Sequence, residues 1–177
     1  MKTILVIRHS HWDGQTDTLS LEGIADCEAK KTTLGSFTTV IASPFNRTVE
    51  AARLLSGNDP VVDDRASMLA LTPEEAAWLK EARKNSPLGV AGVIFGRPDF
   101  LEPVKVAGEK CLSLIEETLE KLPLDGRALI VSHDGTMVAV EKLLKNEPFS
   151  GPLDHTYGNL EGFEVDANLK FTKLAFT

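Results

Sequence analysis

Three short runs of the sequence are almost continuously apolar, and they constrain the fold more than any other feature. They cover Ile4–Ile7, Thr38–Ile41 and Ala128–Val131. A strand without polar alternation is usually covered on both faces, as in a parallel sheet between two helical layers. Strands that alternate with helices favour the same arrangement. We therefore expect an α/β fold, a three-layer α/β/α sandwich around a mostly parallel central sheet.

Helical patterns fill the segments between these runs. Ser20, Ser43 and Thr72 are candidate caps, and proline follows the last two at the first helical position. Thr72 also precedes Glu75 at the spacing of a capping box. The predicted helices cover residues 21–34, residues 44–56, a segment from residue 73 onward, residues 108–122 and Thr136–Lys145.

The last part of the chain predicts a β-hairpin. Its strands are Leu160–Val165 and Leu169–Ala175, joined by Asp166-Ala167-Asn168. The segment from Ser86 to Gly108 is rich in glycine and proline, so we expect an irregular excursion there. Because no linker or repeat divides the chain, residues 1–177 are expected to form a single domain.

Charge and apolar content exclude several classes of partner. The 19 basic and 26 acidic residues give a formal net charge of −7, which argues against nucleic-acid and acidic-membrane binding. No apolar run approaches the roughly 20 residues of a membrane span. The apolar stretch after Met1 is too short for a secretion signal and is expected to be a buried strand. Two distant cysteines, Cys27 and Cys111, fit a reducing compartment, so we expect a cytoplasmic protein.

Polar and charged residues follow each of the three apolar runs. Arg8 and His9 come directly after the first, Ser43 and Arg47 follow the second, and His133 follows the third. Ligands collect at the carboxyl ends of strands in such folds. If the three strands are neighbours, these side chains converge on one pocket.

The residue types in that pocket favour phosphoryl chemistry. Arg8 and Arg47 carry planar forks that match phosphate oxygens, and Arg47 also lies near a predicted helix N-terminus. Like charge disfavours protonation of His9, which leaves a neutral imidazole able to attack phosphorus. His133 can donate to the equatorial oxygens as charge develops. Such positioning and electrostatics suffice for phosphoryl transfer.

Several short motifs in a fixed order carry a family resemblance. They are Arg8-His9-Ser10, Leu19-Ser20-Leu21-Glu22-Gly23, Ala42-Ser43-Pro44-Phe45-Asn46-Arg47-Thr48, Val131-Ser132-His133-Asp134-Gly135 and Gly158-Asn159. The set resembles the histidine phosphatase superfamily, the group of phosphoglycerate mutases and related phosphatases, over nearly the whole chain.

The resemblance implies a phosphoglycerate mutase-like fold and a role for each matching residue. It implies that His9 is the phosphorylated nucleophile, and that Arg8, Arg47 and His133 bind the phosphoryl group. Gln15 matches the position of a phosphate-contacting asparagine in the family.

The sequence departs from the family pattern in the first motif, which shapes the pocket, and at the general acid. Ser10-His11 replaces the usual Gly-Glu, and Met68 stands near the position where many relatives have a glutamate. Asp134 is the favoured substitute, because an acid-phosphatase branch of the superfamily uses a His-Asp pair. A good leaving group needs no acid at all. The other candidates are Asp63, Asp64, Glu74 and Glu75.

The leading hypothesis is a metal-independent phosphohydrolase that acts through a phosphohistidine on His9. The alternatives are a phosphoglycerate mutase-type phosphotransferase and a phosphate-recognising protein without turnover. We expect a small phosphorylated substrate or phosphoprotein as partner, no cofactor, no metal, no nucleic acid and no membrane. Specificity is expected to depend on Ser10–Asp17 and Met68–Gly108.

Overall fold

The computed structural model describes residues 1–174, which contain one six-stranded sheet in the order β3-β2-β4-β1-β5-β6. The strands β1, β2, β4 and their neighbour β3 run parallel, whereas β5 runs antiparallel to both β1 and β6. The predicted mostly parallel sheet is confirmed. The strands are β1 (Thr3–Arg8), β2 (Thr39–Ala42), β3 (Val61–Val62), β4 (Arg127–Ser132), β5 (Gly162–Asp166) and β6 (Phe171–Leu174).

Helices cover both faces of the sheet. They are α1 (Leu21–Leu34), α2 (Asn46–Ser56), α3 (Pro73–Ala82), α4 (Gly89–Phe95), α5 (Pro98–Lys121) and α6 (Asp134–Leu144), with short 3-10 helices at Asp64–Ala66 and Arg83–Asn85. Leu5 and Ile7 point into a core with α1 and α2, while Ile4 and Val6 point into a core with α5 and α6. This alternation produces the predicted three-layer sandwich.

Two of the predicted caps are present. The Ser20 hydroxyl accepts the Gly23 N–H at 3.1 Å, which starts α1 where the sequence predicts it. Thr72 and Glu75 exchange hydrogen bonds of 2.8 and 3.2 Å in a complete capping box at the start of α3.

The predicted cap of α2 at Ser43-Pro44 is wrong. The helix begins at Asn46, and its N-cap residue Phe45 makes no side-chain capping bond. Ser43 is fully buried, and its hydroxyl contacts Thr48 and His133 instead of the helix N–H groups. Because the helix starts only two residues late, Arg47 still lies in its first turn.

The predicted irregular segment Ser86–Gly108 is also wrong, because it contains α4 and the first half of α5. Gly92 lies in α4, where a Cβ atom would come within 2.6 Å of Ser86 Oγ, so the glycine serves close packing. Pro98 occupies the first turn of α5, ten residues before the predicted start of that helix, where the missing N–H costs no helical bond.

The other boundaries shift by a few residues. Helix α6 begins at Asp134 rather than Thr136, and the terminal hairpin forms as predicted between β5 and β6. Ala175, the last residue of the predicted hairpin, lies outside the described residues. In residues 1–174, no helix is both long enough and apolar enough to cross a membrane.

Candidate active site

Three adjacent strands deliver the predicted polar residues to one edge of the sheet. Strand β4 lies between β2 and β1, and Arg8 is in register with Ser132. Beyond the strand ends, the His9 N–H and the Ser43 N–H donate to the carbonyls of Ser132 and Val131, each at 3.3 Å. Backbone hydrogen bonds alone therefore hold the three polar segments next to one another.

The His9 ring is held as one neutral tautomer of the imidazole. Its Nδ1 lies 2.8 Å from the Ser10 carbonyl oxygen, which only accepts, so Nδ1 carries the proton. The lone pair is then on Nε2, which accepts Arg47 Nε–H at 3.2 Å. Burial, together with the charges of Arg47 and Arg8, outweighs the Ser10 bond and lowers the pKa of His9 to about 3. An uncharged Nε2 is the form that can attack phosphorus.

His133 lies beside His9, with ring centroids 5.4 Å apart. Its Nε2 is 2.9 Å from Ser43 Oγ, and its Nδ1 is 3.5 Å from Arg47 Nη2. Thr48 donates its hydroxyl proton to a backbone carbonyl, so Ser43 donates to Thr48 and accepts from His133 Nε2–H. Burial, and then the charges of His9, Arg47 and Arg8, lower the pKa of His133 well below its ordinary value. His133 is therefore neutral, and the lone pair on its Nδ1 faces the Arg47 guanidinium.

Arg47 is buried at the centre of the cluster. Its guanidinium carbon lies 4.5 Å from the centre of the Trp12 ring and 4.4 Å from that of Phe45. It forms an ion pair with Asp17, whose other carboxylate oxygen accepts the Asn46 N–H at 3.0 Å. Asp17 thus occupies the anion position that the N-terminus of α2 creates. The sequence indicates Asp17 only as the end of the segment Ser10–Asp17 and does not predict its contact with Arg47.

Arg8 has spare hydrogen-bonding capacity. Its Nη1 donates to the Tyr157 carbonyl at 2.6 Å and lies 3.9 Å from a carboxylate oxygen of Asp134. In residues 1–174, Nε of Arg8 is buried without a partner. A buried donor without a partner is costly, and an anionic ligand would satisfy it.

A buried network positions the Tyr157 carbonyl against Arg8. Glu141 accepts from the Tyr157 hydroxyl, from His155 Nε2 at 2.9 Å and from Lys145 at 2.5 Å. Burial raises the pKa of Glu141, but these three hydrogen bonds outweigh it and lower the pKa. The charged carboxylate therefore ties α6 to the segment that holds Arg8.

Of the candidate acids, only Asp134 lies in the cavity with His9. Asp134 is buried in the first turn of α6. Asp63 is bound by Arg65 at 2.7 Å, and that bond lowers its pKa. Asp64 lines a neighbouring cavity, Glu74 is exposed, and Glu75 closes the capping box.

Gln15 is not brought to the cluster in this structure. It is exposed on a turn in which the Asp13 N–H donates to the Thr18 carbonyl at 2.8 Å. The same turn directs Asp17 inward, with a φ of 57°. The acidic side chain, rather than the amide, therefore contacts Arg47.

The clustered side chains open into a cavity of about 270 Å³. Met68 lines this cavity, so a thioether lies where the family resemblance implies a glutamate. In the part of the chain that the structure describes, no group of three or more His, Cys, Asp or Glu residues is arranged to hold a metal ion. The charged groups that converge here are two guanidiniums and Asp134, with two neutral imidazoles.

Comparison with known proteins identifies the fold. No family model and no curated protein matches the sequence. Among solved structures, a mycobacterial glucosyl-3-phosphoglycerate phosphatase is 19% identical, with a TM-score of 0.73 over 99% of this chain and 98% of that one. YhfR from Bacillus stearothermophilus is also 19% identical, with a TM-score of 0.73 over 98% and 95% of the two chains.

A third similar structure is the phosphoserine phosphatase of Entamoeba histolytica in complex with 3-phosphoglyceric acid. It is 16% identical, with a TM-score of 0.68 over 93% of this chain and 90% of that one. These matches confirm the phosphoglycerate mutase-like α/β fold that the motif resemblance implies. At this level of identity they establish the fold alone.

Proposed function

We propose that this protein is a phosphohydrolase that cleaves a small phosphorylated substrate through a phosphohistidine on His9. The observation that carries the proposal is the bonding of the His9 ring. The Ser10 carbonyl binds Nδ1–H at 2.8 Å, and Nε2 keeps its lone pair beside Arg47 inside the cavity. Two structures with the same fold are named as phosphatases of glucosyl-3-phosphoglycerate and phosphoserine, which supports the same reaction class.

The first step transfers the phosphoryl group to His9. Nε2 attacks phosphorus in line, a P–N bond forms, and the bond from phosphorus to the leaving oxygen breaks with its electron pair. Arg8 and Arg47 hold the equatorial oxygens and stabilise the charge that grows on them, and His133 Nδ1 helps to orient the Arg47 guanidinium. Asp134 receives the proton that the bound phosphate monoanion carries and passes it to the leaving oxygen.

The second step releases phosphate. Asp134, now a carboxylate, takes a proton from water, the water oxygen attacks phosphorus, and the P–N bond breaks. The electron pair returns to Nε2 and restores the neutral imidazole. The charges that stabilise both steps belong to Arg8 and Arg47, so the mechanism we propose uses no metal and no cofactor. Gln15 reaches the phosphoryl group only if its turn rearranges on binding.

We also propose that residues 1–177 form one domain and that it resides in the cytoplasm. The central strand β1 pairs with β4 and with β5, so the sheet needs both halves of the chain. Both cysteines are buried free thiols, as is usual in a reducing compartment.

The direct test is hydrolysis of an aryl phosphate by the wild type and by His9→Ala. Aryl leaving groups need little acid, so the measurement isolates the nucleophile. We expect His9→Ala to lower kcat at least about 10³-fold. His11→Ala is the matched control, because His11 is exposed and lies outside the cavity. Wild-type turnover no higher than that of His9→Ala would favour a phosphate-recognising protein without turnover and overturn the proposal.

A further inference from the structure

The cavity has two unlike sides. We call the side formed by Arg8, His9, Arg47 and His133 the floor, and the side formed by residues 68–94 the wall. Most of the wall is apolar. Its apolar members are Met68, Leu69, Leu71, Ala76, Leu79, Val90 and Ile94.

The cavity lining is poor in neutral hydrogen-bonding side chains. In the described chain, no Ser, Thr, Asn, Gln, Tyr or Glu lines the cavity. A sugar or polyol would therefore leave water without finding new partners for its hydroxyls, which is unfavourable. An apolar or aromatic body, in contrast, gains by leaving water against this surface. At about 270 Å³, the cavity is slightly smaller than the roughly 300–1,000 Å³ that is usual for ligand sites, so it suits one ring or a short chain.

Two cations interrupt the apolar wall. Lys80 lies in the last turn of α3, and Arg83 follows three residues later, on the same side of the turn. Within residues 1–174, neither side chain forms an ion pair or a hydrogen bond. Their neighbour Lys84 lies outside the cavity and is paired with Glu81 at 2.7 Å. Only the cations that line the cavity are left without an acidic partner in this segment.

Arg83 lies within electrostatic reach of the floor. Burial is the main cause that lowers the pKa of Arg47, and Asp17 opposes it by raising that pKa. The positive charges of Arg8 and Arg83 lower the pKa further. The phosphoryl group has its own cations in Arg8 and Arg47. The two wall cations therefore supply positive charge beyond what one phosphoryl group requires.

We propose that the substrate carries a second anionic group, a carboxylate or phosphate, that Lys80 and Arg83 bind while an apolar or aromatic body spans the cavity. The inference rests on the proposed phosphohydrolase function and names the substrate class of that same site. A guanidinium and an ammonium three residues apart suit an oxyanion, and each charge-assisted hydrogen bond discriminates against a neutral isostere. Met68, Leu71 and Val90 contact the body between the two anions.

The test compares substrates that differ only in the second charge. The set is 3- and 4-carboxybenzyl phosphate, the corresponding carbamoylbenzyl phosphates, unsubstituted benzyl phosphate and glycerol 3-phosphate. For the wild type we expect kcat/KM for the better carboxylate isomer to exceed that for its amide about 10- to 100-fold, mainly through KM. Glycerol 3-phosphate is expected to be the poorest substrate.

Variants of the wall cations complete the test. Lys80→Met and Arg83→Met should each reduce the preference for carboxylate over amide, and the double variant should abolish it. Each should lower kcat/KM for the carboxylate more than for the amide, since only the carboxylate loses a binding partner. Lys84→Met is the matched control and should keep the full preference. Thermal unfolding of each variant checks that the fold is intact.

Each outcome bears on one of the two proposals. If unsubstituted benzyl phosphate is turned over no faster by the wild type than by His9→Ala, the phosphohydrolase proposal fails. If turnover depends on His9 but the carboxylate gives no advantage, the second-anion site is overturned. Equal losses on carboxylate and amide in the Lys80 and Arg83 variants would also overturn it, because they would mean general attraction of phosphate. A preference for glycerol 3-phosphate would refute the apolar body.

Discussion

The floor and the wall of the cavity differ in how their side chains are held. On the floor, His9 is bonded to Ser10 and Arg47, and His133 is bonded to Ser43, all within a backbone that the sheet positions. On the wall, apolar side chains of α3 and α4 border the open space, and Lys80 and Arg83 form no ion pair or hydrogen bond within residues 1–174. The floor side chains are therefore held by hydrogen bonds, whereas the wall is an apolar surface that carries two cations.

This difference separates the chemistry from the choice of substrate. Groups at strand ends are positioned by the paired backbone of the sheet, and groups positioned in advance are what electrostatic stabilisation of a transition state requires. Apolar contacts and unpaired cations contribute only when a matching ligand body arrives. Changes on the floor should therefore slow every substrate alike, and changes on the wall should alter the ranking of substrates.

The largest floor effect after loss of the nucleophile is expected for Arg47→Met. This change removes the Nε–H that holds His9 Nε2 and the fork that holds the phosphoryl oxygens. We expect kcat/KM to fall about 10²- to 10³-fold for all substrates alike. Arg53→Met, on the exposed side of the same helix, is the control and should retain activity. A loss confined to substrates with a second anion would place Arg47 functionally on the wall.

Asp134→Asn should separate substrates by leaving group. An amide cannot supply a proton, so we expect alkyl phosphate turnover to fall about 10²-fold and aryl phosphate turnover to change less than about tenfold. The measurement is kcat for benzyl phosphate and for an aryl phosphate. Glu75→Gln, at the start of α3, serves as control. Undiminished alkyl phosphatase activity in Asp134→Asn would show that Asp134 is not the acid.

Asp17→Asn is expected to strengthen binding of phosphate. In the free protein the Asp17 carboxylate pairs with Arg47 and takes the Asn46 N–H, so an incoming phosphate competes with it. A neutral amide removes that competition, and we expect the inhibition constant for inorganic phosphate to fall about 3- to 10-fold. Asp13→Asn, on the exposed part of the same turn, should leave this constant unchanged. Weaker phosphate binding in Asp17→Asn would mean that Asp17 instead orients Arg47 for the ligand.

The smallest expected effect is the contribution of His9 to the pH dependence of the free energy of unfolding. His9 has a pKa of about 3 in the folded protein and an ordinary value near 6.5 in the unfolded chain. Below about pH 6.5 the unfolded chain binds a proton that the folded protein does not, so the free energy of unfolding falls as pH falls. Between pH 7.5 and 5, denaturant unfolding should show a shallower pH dependence for His9→Gln than for the wild type. His11→Gln should keep the wild-type slope, and parallel curves for His9→Gln would contradict the low pKa.

The floor was largely predictable from sequence because each of its residues lies at the end of a buried strand or within a few residues after it. Strand position and order then determine where Arg8, His9 and His133 lie, whatever the loops do. Arg47 was placed correctly even though the cap of its helix was wrong, since a shift of two residues leaves it in the first turn. Asp134 is the next residue after His133, so the same strand end places it at the cavity.

The wall was predictable only in part, because the capping box indicates the start of α3 whereas tertiary packing decides the structure after Ser86. Glycine and proline between Ser86 and Gly108 suggest irregular backbone, yet Gly92 fits closely within α4 and Pro98 starts α5. Asp17 was missed for a related reason. Its contact with Arg47 depends on a turn with positive φ and crosses between two elements, so no local pattern reveals it.

The most direct test of the account is to trap the phosphorylated protein. The wild type is mixed rapidly with a phosphoryl donor, quenched in base to preserve a P–N bond, digested and analysed by mass spectrometry. We expect a single phosphoryl group on Nε2 of His9, formed and consumed at rates consistent with turnover, present in His11→Ala and absent from His9→Ala. Steady turnover with no phosphohistidine, or with the phosphoryl group on another residue, would contradict it.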